Sequence, residues 1–292
     1  MIKVVTNIPE ERIKRYGVLP PKDFSIVYIN QPYTDEELIE VGKDADFLFL
    51  SLSPASKKVI ENLKNIKLIQ SEGVGYDGID LETTKNKGIY VCNAKGVNKF
   101  AVAEHTIGLI LAALRRTVVA NNEIKKGNFV SNYLDYDKKG MRELRSCHVG
   151  IIGLGDIGKE VVKRLKPFDC KISYSNHRRN YESEKELGIE FLELEELLKS
   201  CDIISLHVPL ASNTKNMINK DTIALMKHNA IIINTARGGV INQEDLAEAL
   251  INGRIEGAAL DTISPQPPHK DHPLLNLPEE ASNRLILTTH IA

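Results

Sequence analysis

Residues 149–158 read Val-Gly-Ile-Ile-Gly-Leu-Gly-Asp-Ile-Gly, an apolar strand pattern running into Gly153, Gly155 and Gly158 at G-x-G-x-x-G spacing. The first glycine permits a tight strand-to-helix turn, the second a close backbone approach to a pyrophosphate, and the third close packing of helix on strand. The new helix offers unpaired N–H groups and a positive dipole end to phosphate. An ordinary glycine turn is the plain alternative. Here β-branched residues precede the glycines, and Lys159 to Lys166 continue as Lys-Glu-Val-Val-Lys-Arg-Leu-Lys at helical spacing, so the strand–turn–helix context points to a dinucleotide.

The next strand, Lys171 to Tyr174, ends where NAD sites usually carry an acid, about 20 residues past the glycines, for the ribose 2′-hydroxyl. This chain reads Tyr174-Ser175-Asn176-His177-Arg178-Arg179, with no carboxylate to repel a 2′-phosphate and two guanidinium groups just beyond. Arginine pairs with phosphate in a fork geometry. NADP is therefore favoured and NAD remains possible; a solvated basic turn is the bland reading of the same residues.

The 292 residues suffice for one large or two ordinary domains, and 42% hydrophobic content for sizeable cores. Lys plus Arg total 38 against 39 for Asp plus Glu, so no global field draws nucleic acid or an anionic membrane. The N-terminus, Met1-Ile2-Lys3-Val4-Val5, reads as a strand rather than a signal peptide, and no apolar run nears the roughly 20 residues of a membrane span. Cys92, Cys147, Cys170 and Cys201 occur singly in apolar segments, with no C-x-x-C pair and no metal-like histidine spacing. Buried, reduced thiols in a cytoplasmic, metal-free protein are expected.

Short apolar strands alternate with amphipathic helices: Phe47 to Leu52, Lys67 to Gln70, Ile203 to Val208, Ala230 to Asn234 and Leu285 to Leu287 as strands, Thr34 to Val41 and Asp245 to Asn252 as helices. That rhythm predicts an α/β chain of parallel sheets covered on both faces. A glycine fingerprint normally follows the first strand of its domain, yet about 145 residues and some five strand–helix units precede it. Two doubly wound domains follow. The apolar segment Ala101 to Ala120 is expected as a helical connector, able to serve core packing or a dimer interface.

Open parallel sheets place ligands at strand C-terminal ends. Ser71-Glu72-Gly73-Val74-Gly75-Tyr76-Asp77 follows one strand, with glycines that free backbone N–H groups for a carboxylate. Asn234-Thr235-Ala236-Arg237-Gly238-Gly239 follows another, its arginine suited to a bidentate carboxylate grip. Asp261 ends Gly257-Ala258-Ala259-Leu260, and His290 follows the strand Leu285 to Leu287. Singly these read as a surface arginine, a capping aspartate and a satisfied histidine; together they are harder to dismiss.

In these motifs, with Val102-Ala-Glu-His105 and His207-Val-Pro-Leu210, the chain resembles the D-isomer-specific 2-hydroxyacid dehydrogenases over essentially its whole length. The resemblance implies a flavodoxin-like substrate domain, residues 1–97 completed by the segment from about 287, and an inserted Rossmann cofactor domain, residues 98–286. It implies catalysis in the cleft between them and a homodimer built largely through the cofactor domain. Val74, Gly75 and Arg237 would hold the substrate carboxylate, Arg237 also polarising the 2-oxo group, and His290 would be the acid–base. Thr235, Ala236 and Asp261 would orient the nicotinamide, Gly155, Asp156 and Ile157 would cradle the pyrophosphate, and His207, Val208 and Pro209 would border the adenosine. Glu104 and His105 are expected to be structural.

One position departs from the family pattern. Most members pair the histidine with a glutamate five residues after the motif aspartate, just before a proline; here Gln266 stands there, followed by Pro267. Glutamate stabilises imidazolium, whereas glutamine can hydrogen-bond without charge. A histidine–glutamine pair also resembles formate dehydrogenases, as does Pro265-Gln-Pro-Pro-His-Lys-Asp-His-Pro273, though their long N-terminal extension is missing here. The flanking residues equally resemble glyoxylate/hydroxypyruvate reductases with one Glu-to-Gln change. Leu52, in Ser51-Leu52-Ser53, stands near the place where 3-phosphoglycerate dehydrogenases carry a phosphate-binding arginine, so a small 2-oxo acid such as glyoxylate, hydroxypyruvate or pyruvate is expected. Three readings stay open: a 2-oxo acid reductase, a formate-oxidising enzyme, and a cofactor-sensing regulator without turnover. Family members continue for about a helix past this histidine, whereas the sequence stops at Ala292, so a fraying His290 is expected if the chain ends there.

Overall fold

The computed structural model describes all residues except Val18 and Ser53, and the side chain of Lys139 is likewise not described. The chain forms two compact units, Met1–Asn98 and Lys99–Ala292. In the first, strands β1 (Ile2–Thr6), β2 (Phe24–Tyr28), β3 (Phe47–Leu50), β4 (Leu68–Ser71) and β5 (Tyr90–Cys92) alternate with helices α1 (Glu10–Arg15), α2 (Asp35–Gly42), α3 (Lys57–Asn62) and α4 (Leu81–Asn86). All pairs are parallel and the order is β2-β1-β3-β4-β5, the flavodoxin-like arrangement. Three helices start where a side chain takes an otherwise orphaned N–H: Thr34 with Glu37 in a capping box, Ser56, and Asp80. Val5, Leu38, Leu48, Ile60 and Ile69 form the core beneath them.

The second unit opens with α5 (Lys99–Leu114), α6 (Thr117–Lys125) and α7 (Phe129–Lys139). The long helix expected over 101–120 is thus two. Arg116 lies between them at φ 48°, a left-handed conformation through which a right-handed helix cannot run. There follow β6 (His148–Ile152), α8 (Asp156–Leu165), β7 (Lys171–Ser175), α9 (Tyr181–Leu187), β8 (Glu190–Phe191), α10 (Leu194–Ser200), β9 (Ile203–Leu206), α11 (Lys220–Leu225), β10 (Ile231–Asn234), α12 (Gln243–Ile251), β11 (Gly257–Leu260), α13 (Glu279–Ser282) and β12 (Leu285–Leu287). The sheet is parallel throughout, in the order β12-β11-β10-β9-β6-β7-β8.

That order reverses the direction in which strands are added at β6, with β7 and β8 on one side and β9 to β12 on the other; ligands of open α/β sheets bind beyond the strand C-termini at such a point. Strands β9, β10 and β11 are buried at every position, as expected of strands covered on both faces. Thr288, His290, Ile291 and Ala292 are hydrogen-bonded to Leu260 and Asp261 at the end of β11.

The thiols divide differently from expectation. Cys147 and Cys201 are buried and Cys170 half-buried, but Cys92 is exposed, at the end of an edge strand whose alternation turns it outward. Burial pushes Cys170 and Cys201 up to about 11, so both stay protonated and inert at neutral pH.

Candidate active site

Beyond β6 the chain turns at Gly153, whose φ of +98° is open to glycine and strained for other residues. A Cβ there would lie 2.5 Å from the His207 carbonyl oxygen, and one on Gly158 would lie 2.2 Å from the Gly153 carbonyl oxygen. Gly155 differs: its Cβ would meet nothing within 4 Å, so this face of the turn is open. Gly155 also caps α8 without a side-chain acceptor, and the first intrahelical donor is Lys159 N to Gly155 O, so the N–H groups of Asp156 and Ile157 have no acceptor among the described residues. Open backbone, unpaired donors and a dipole end fit a pyrophosphate.

Two further strand ends fasten the turn. Gly153 N donates to Ser175 O (2.9 Å), and Leu154 N to Asn176 Oδ1 (3.2 Å), so Asn176 is spent on holding the loop. His207 follows β9; its ring pairs with Ser205 Oγ at 2.8 Å, while its Nδ1 is buried with no partner. Burial lowers the imidazole pKa to about 3, so it is neutral and offers a ready hydrogen-bonding site to a ligand on the turn. Val208 packs against Gly153, and Pro209 O accepts from Thr214 Oγ1 at 2.6 Å.

The ribose end corrects the count of two available guanidiniums. Arg179 is held bidentately by Glu184 (Nε–Oε1 and Nη2–Oε2, both 2.9 Å) and lies over the rings of Tyr181 (4.7 Å) and Phe191 (5.4 Å). Tyr174 OH joins the same carboxylate at 2.7 Å. The Arg179 hydrogen bond holds the Glu184 carboxyl below its ordinary range, so the pair is ionic and its charge cancelled locally. His177 and Arg178 are exposed beside it.

Arg237, Asp261 and His290 follow strand ends that lie side by side in the sheet. Asn234, Leu260 and Leu287 are ladder partners at the C-terminal ends of β10, β11 and β12, and the three site residues follow them by three, one and three positions. Asn234 shapes the first loop: Oδ1 accepts from Ala236 N and Nδ2 donates to Arg237 O, both 2.9 Å. Arg237 Nη1 donates to Ala236 O at 2.7 Å.

His290 has φ 56° and its Nδ1 lies 3.1 Å from Gln266 Oε1, so the two residues singled out by the sequence are hydrogen-bonded. His290 N donates to Asp261 O at 2.9 Å. The wholly buried Asp261 carboxylate takes Ile291 N and Ala292 N (3.1 Å each), the Thr288 hydroxyl, and His105 Nε2 at 3.4 Å. These bonds tie Thr288, His290, Ile291 and Ala292 to the end of β11.

Sequence reasoning missed Thr288, Gln243 and His272. Gln243 and the Ser264 backbone exchange two bonds (3.0 and 3.2 Å), and Ser264 O also accepts from His272 Nε2 at 3.0 Å, because His272 Nδ1 takes Leu274 N. This fixes the segment before Gln266. Gln243 opens α12 directly after its Asn242 cap, where a polar residue gives no signal of a tertiary contact.

In the first unit, the loop after β4 is turned inside out. Gly73 O accepts from Ala94 N, Val74 O from Asn93 Nδ2 and Gly75 O from Ser71 Oγ, at 2.9, 2.7 and 2.6 Å. With carbonyls inward, the N–H groups of Val74 and Gly75 donate to no acceptor among the described residues. Arg12 makes a two-point pair with Glu72 (2.8 and 3.3 Å) beside this loop. Leu52 is 71% exposed at φ 51°, held by Asn7, whose side chain takes Ser51 N at 2.7 Å and gives to Ser51 O at 2.9 Å. Leu52 and His290 are two of five non-glycine residues with positive φ among those described; such strain is concentrated at functional sites.

These motifs meet a known pattern. Residues 107–292 match the model for the NAD binding domain of D-isomer specific 2-hydroxyacid dehydrogenases. The chain belongs to the D-isomer-specific 2-hydroxyacid dehydrogenase family, a family of nicotinamide-dependent oxidoreductases. Similar curated proteins include a D-3-phosphoglycerate dehydrogenase of Methanocaldococcus jannaschii, 41% identical over 95% of this chain but only 52% of the relative. A glyoxylate reductase of Thermofilum pendens is 39% identical over 89% of this chain and 76% of its own length. Among solved structures, a D-lactate dehydrogenase from Aquifex aeolicus with NAD and lactic acid aligns over 99% of this chain and 88% of its own, at TM-score 0.84 and 30% identity. A Granulicella formate dehydrogenase covers 97% of this chain and 73% of its own, at TM-score 0.83 and 29% identity. No helix among the described residues is long and apolar enough to cross a membrane.

Proposed function

We propose that this chain reduces a small 2-oxo acid of the glyoxylate, hydroxypyruvate or pyruvate type to the D-2-hydroxy acid, with NADP preferred over NAD. The observation that carries the reading is the delivery of Arg237, Asp261 and His290 from three adjacent strand ends, with His290 bonded to Gln266. Within the second unit the substrate carboxylate is assigned to Arg237, whose fork geometry suits two oxygens; in the first unit the family resemblance gives the same role to the N–H groups of Val74 and Gly75. Arg237 also polarises the oxo group, so charge developing on that oxygen meets a fixed cation.

With Nδ1 engaged by Gln266, proton donation to the oxygen falls to Nε2 of His290. The bound nicotinamide supplies hydride to the carbon. Thr235, Ala236 and Asp261 border that ring, Asp261 chiefly by fixing the segment that carries His290. The exposed, apolar Leu52 and the neutralisation of Arg12 by Glu72 support a substrate with a small uncharged side chain rather than a phosphate. Residues 1–97, completed by the segment from about 287, are read as the substrate domain and 98–286 as the cofactor domain. A homodimer through the second unit is supported by exposed apolar side chains on α6 and α7: Ile124, Phe129, Val130, Tyr133 and Leu134.

The His290–Gln266 bond also favours a second reading, formate oxidation, which moves hydride without a proton. Purified protein with NADPH and glyoxylate, hydroxypyruvate or pyruvate should lose absorbance at the reduced-cofactor band, and R237A should lower kcat/KM by about 100-fold or more. Gain of absorbance with formate and NADP or NAD establishes the second reading instead. Cofactor binding with turnover of neither would leave a sensor.

A further inference from the structure

Helix α5 is apolar along its inward face, with Val102, Ala103, Leu109 and Ile110 buried. Two consecutive residues break that pattern. Thr106 Oγ1 lies 2.7 Å from Val102 O and 2.9 Å from Thr235 Oγ1. Its one hydrogen goes to the Val102 carbonyl, so Thr235 donates to Thr106. His105 Nε2 lies 3.1 Å from Thr288 Oγ1 and 3.4 Å from Asp261 Oδ1. The Thr288 hydrogen is committed to Asp261, so the His105 ring must donate through Nε2. One turn of α5 thus grips the end of β10, two residues before Arg237, and the ends of β11 and β12, where Asp261 binds the backbone on both sides of the His290 ring.

We propose that His105 and Thr106 are positioning residues for the reaction, setting the backbone that presents His290 and Arg237. This rests on the assignment of those two residues to the chemistry. On an otherwise apolar helix face each of the two side chains adds a hydrogen bond to strand ends already braced by Asn234 and Asp261, and so ties those braces to α5. A misplacement of about 1 Å at reacting groups, caused by a change away from the chemistry, can cost about 100-fold.

The test is H105F and T106V in the full chain, with H105Q and T106S as conservative controls. Expected for the first two are an approximately tenfold or larger fall in glyoxylate-dependent kcat, NADPH affinity by fluorescence within about twofold of wild type, and substantial recovery in the controls. The second readout needs no turnover: the His290 Cε1 proton resonance, assigned by its loss in H290N, should move in H105F and return in H105Q. Wild-type kcat and an unmoved resonance in H105F would overturn the proposal. If H105F does not fold, H105N, polar but too short to reach Thr288, is judged by the same two readouts. A wild-type protein that reduces no 2-oxo acid defeats the functional reading, and the resonance still decides this one.

Discussion

The second unit has two ligand-facing strand ends built on opposite principles. At β6 and β7 the surface is backbone: a glycine turn, the first N–H groups of α8, and an asparagine spent on holding the loop. At β10 to β12 it is side chain: Arg237, Gln266 and His290, held by Asp261, Thr288, His105, Gln243 and His272. A backbone site tolerates many substitutions but no added atom at Gly153 or Gly158. A side-chain site tolerates none of its own members and can be retuned one residue at a time. On the proposed assignment, binding sits on the rigid kind and proton chemistry on the adjustable kind.

The hardest break is therefore Gly158→Ala. Its Cβ would sit 2.2 Å from a backbone oxygen, which no rotamer can relieve, so α8 must move off the turn. NADPH affinity should fall on the order of 100-fold, with a destabilisation of about 1–3 kcal/mol. Titration by cofactor fluorescence alongside thermal melting checks both; wild-type affinity would mean that the turn is not where phosphate binds.

Next in size is the arginine pair. R178A should lower NADPH affinity by about 10- to 100-fold and leave NADH unchanged, the worth of one charge-assisted bond to phosphate. R179A should lower the melting temperature, because it breaks the bidentate pair with Glu184, and change the NADPH/NADH ratio little. The reverse pattern would return Arg179 to the cofactor.

How legible each end was follows from the same contrast. The turn at residues 153–158 could be read because its constraints are local: three glycines, a strand before, a helix after. The five strand–helix units ahead of it and the alternation of apolar runs likewise indicated two doubly wound sheets. The hub around Asp261 could not be read, since His105 and Thr288 meet across 183 residues with no motif between them. Arg179 was misjudged for a different reason. Glu184 stood five residues on in plain view, but whether a carboxylate that near reaches back depends on where α9 begins, and single-sequence reasoning is weakest at element boundaries.

His207 tests the rigid end by acid. An imidazole buried with its pKa lowered to about 3 opposes folding once the unfolded chain, titrating near 6.5, prefers to bind a proton. Its contribution is whole above about pH 6.5 and is lost as pH falls from there toward 3, by up to about 1.4 kcal/mol per unit. H207Q should flatten the stability profile in that window, read by urea melts at pH 7, 5 and 4. A slope identical to wild type would place the loss elsewhere.

The smallest effect falls on the adjustable end, and it asks whether Gln266 sets the acid strength of the site. Its amide oxygen takes the His290 Nδ1 bond but brings no charge. In Q266E a carboxylate would stand at the same distance and stabilise imidazolium, raising the histidine pKa by about one unit. For 2-oxo acid reduction the protonated ring is the active form, so the alkaline limb of kcat against pH should move up by that amount while the acid side stays level. Formate oxidation consumes no proton at this residue, and its profile should not respond. A limb that stays put in Q266E while the reductase remains active would separate His290 from Gln266 functionally, whatever the distance between them.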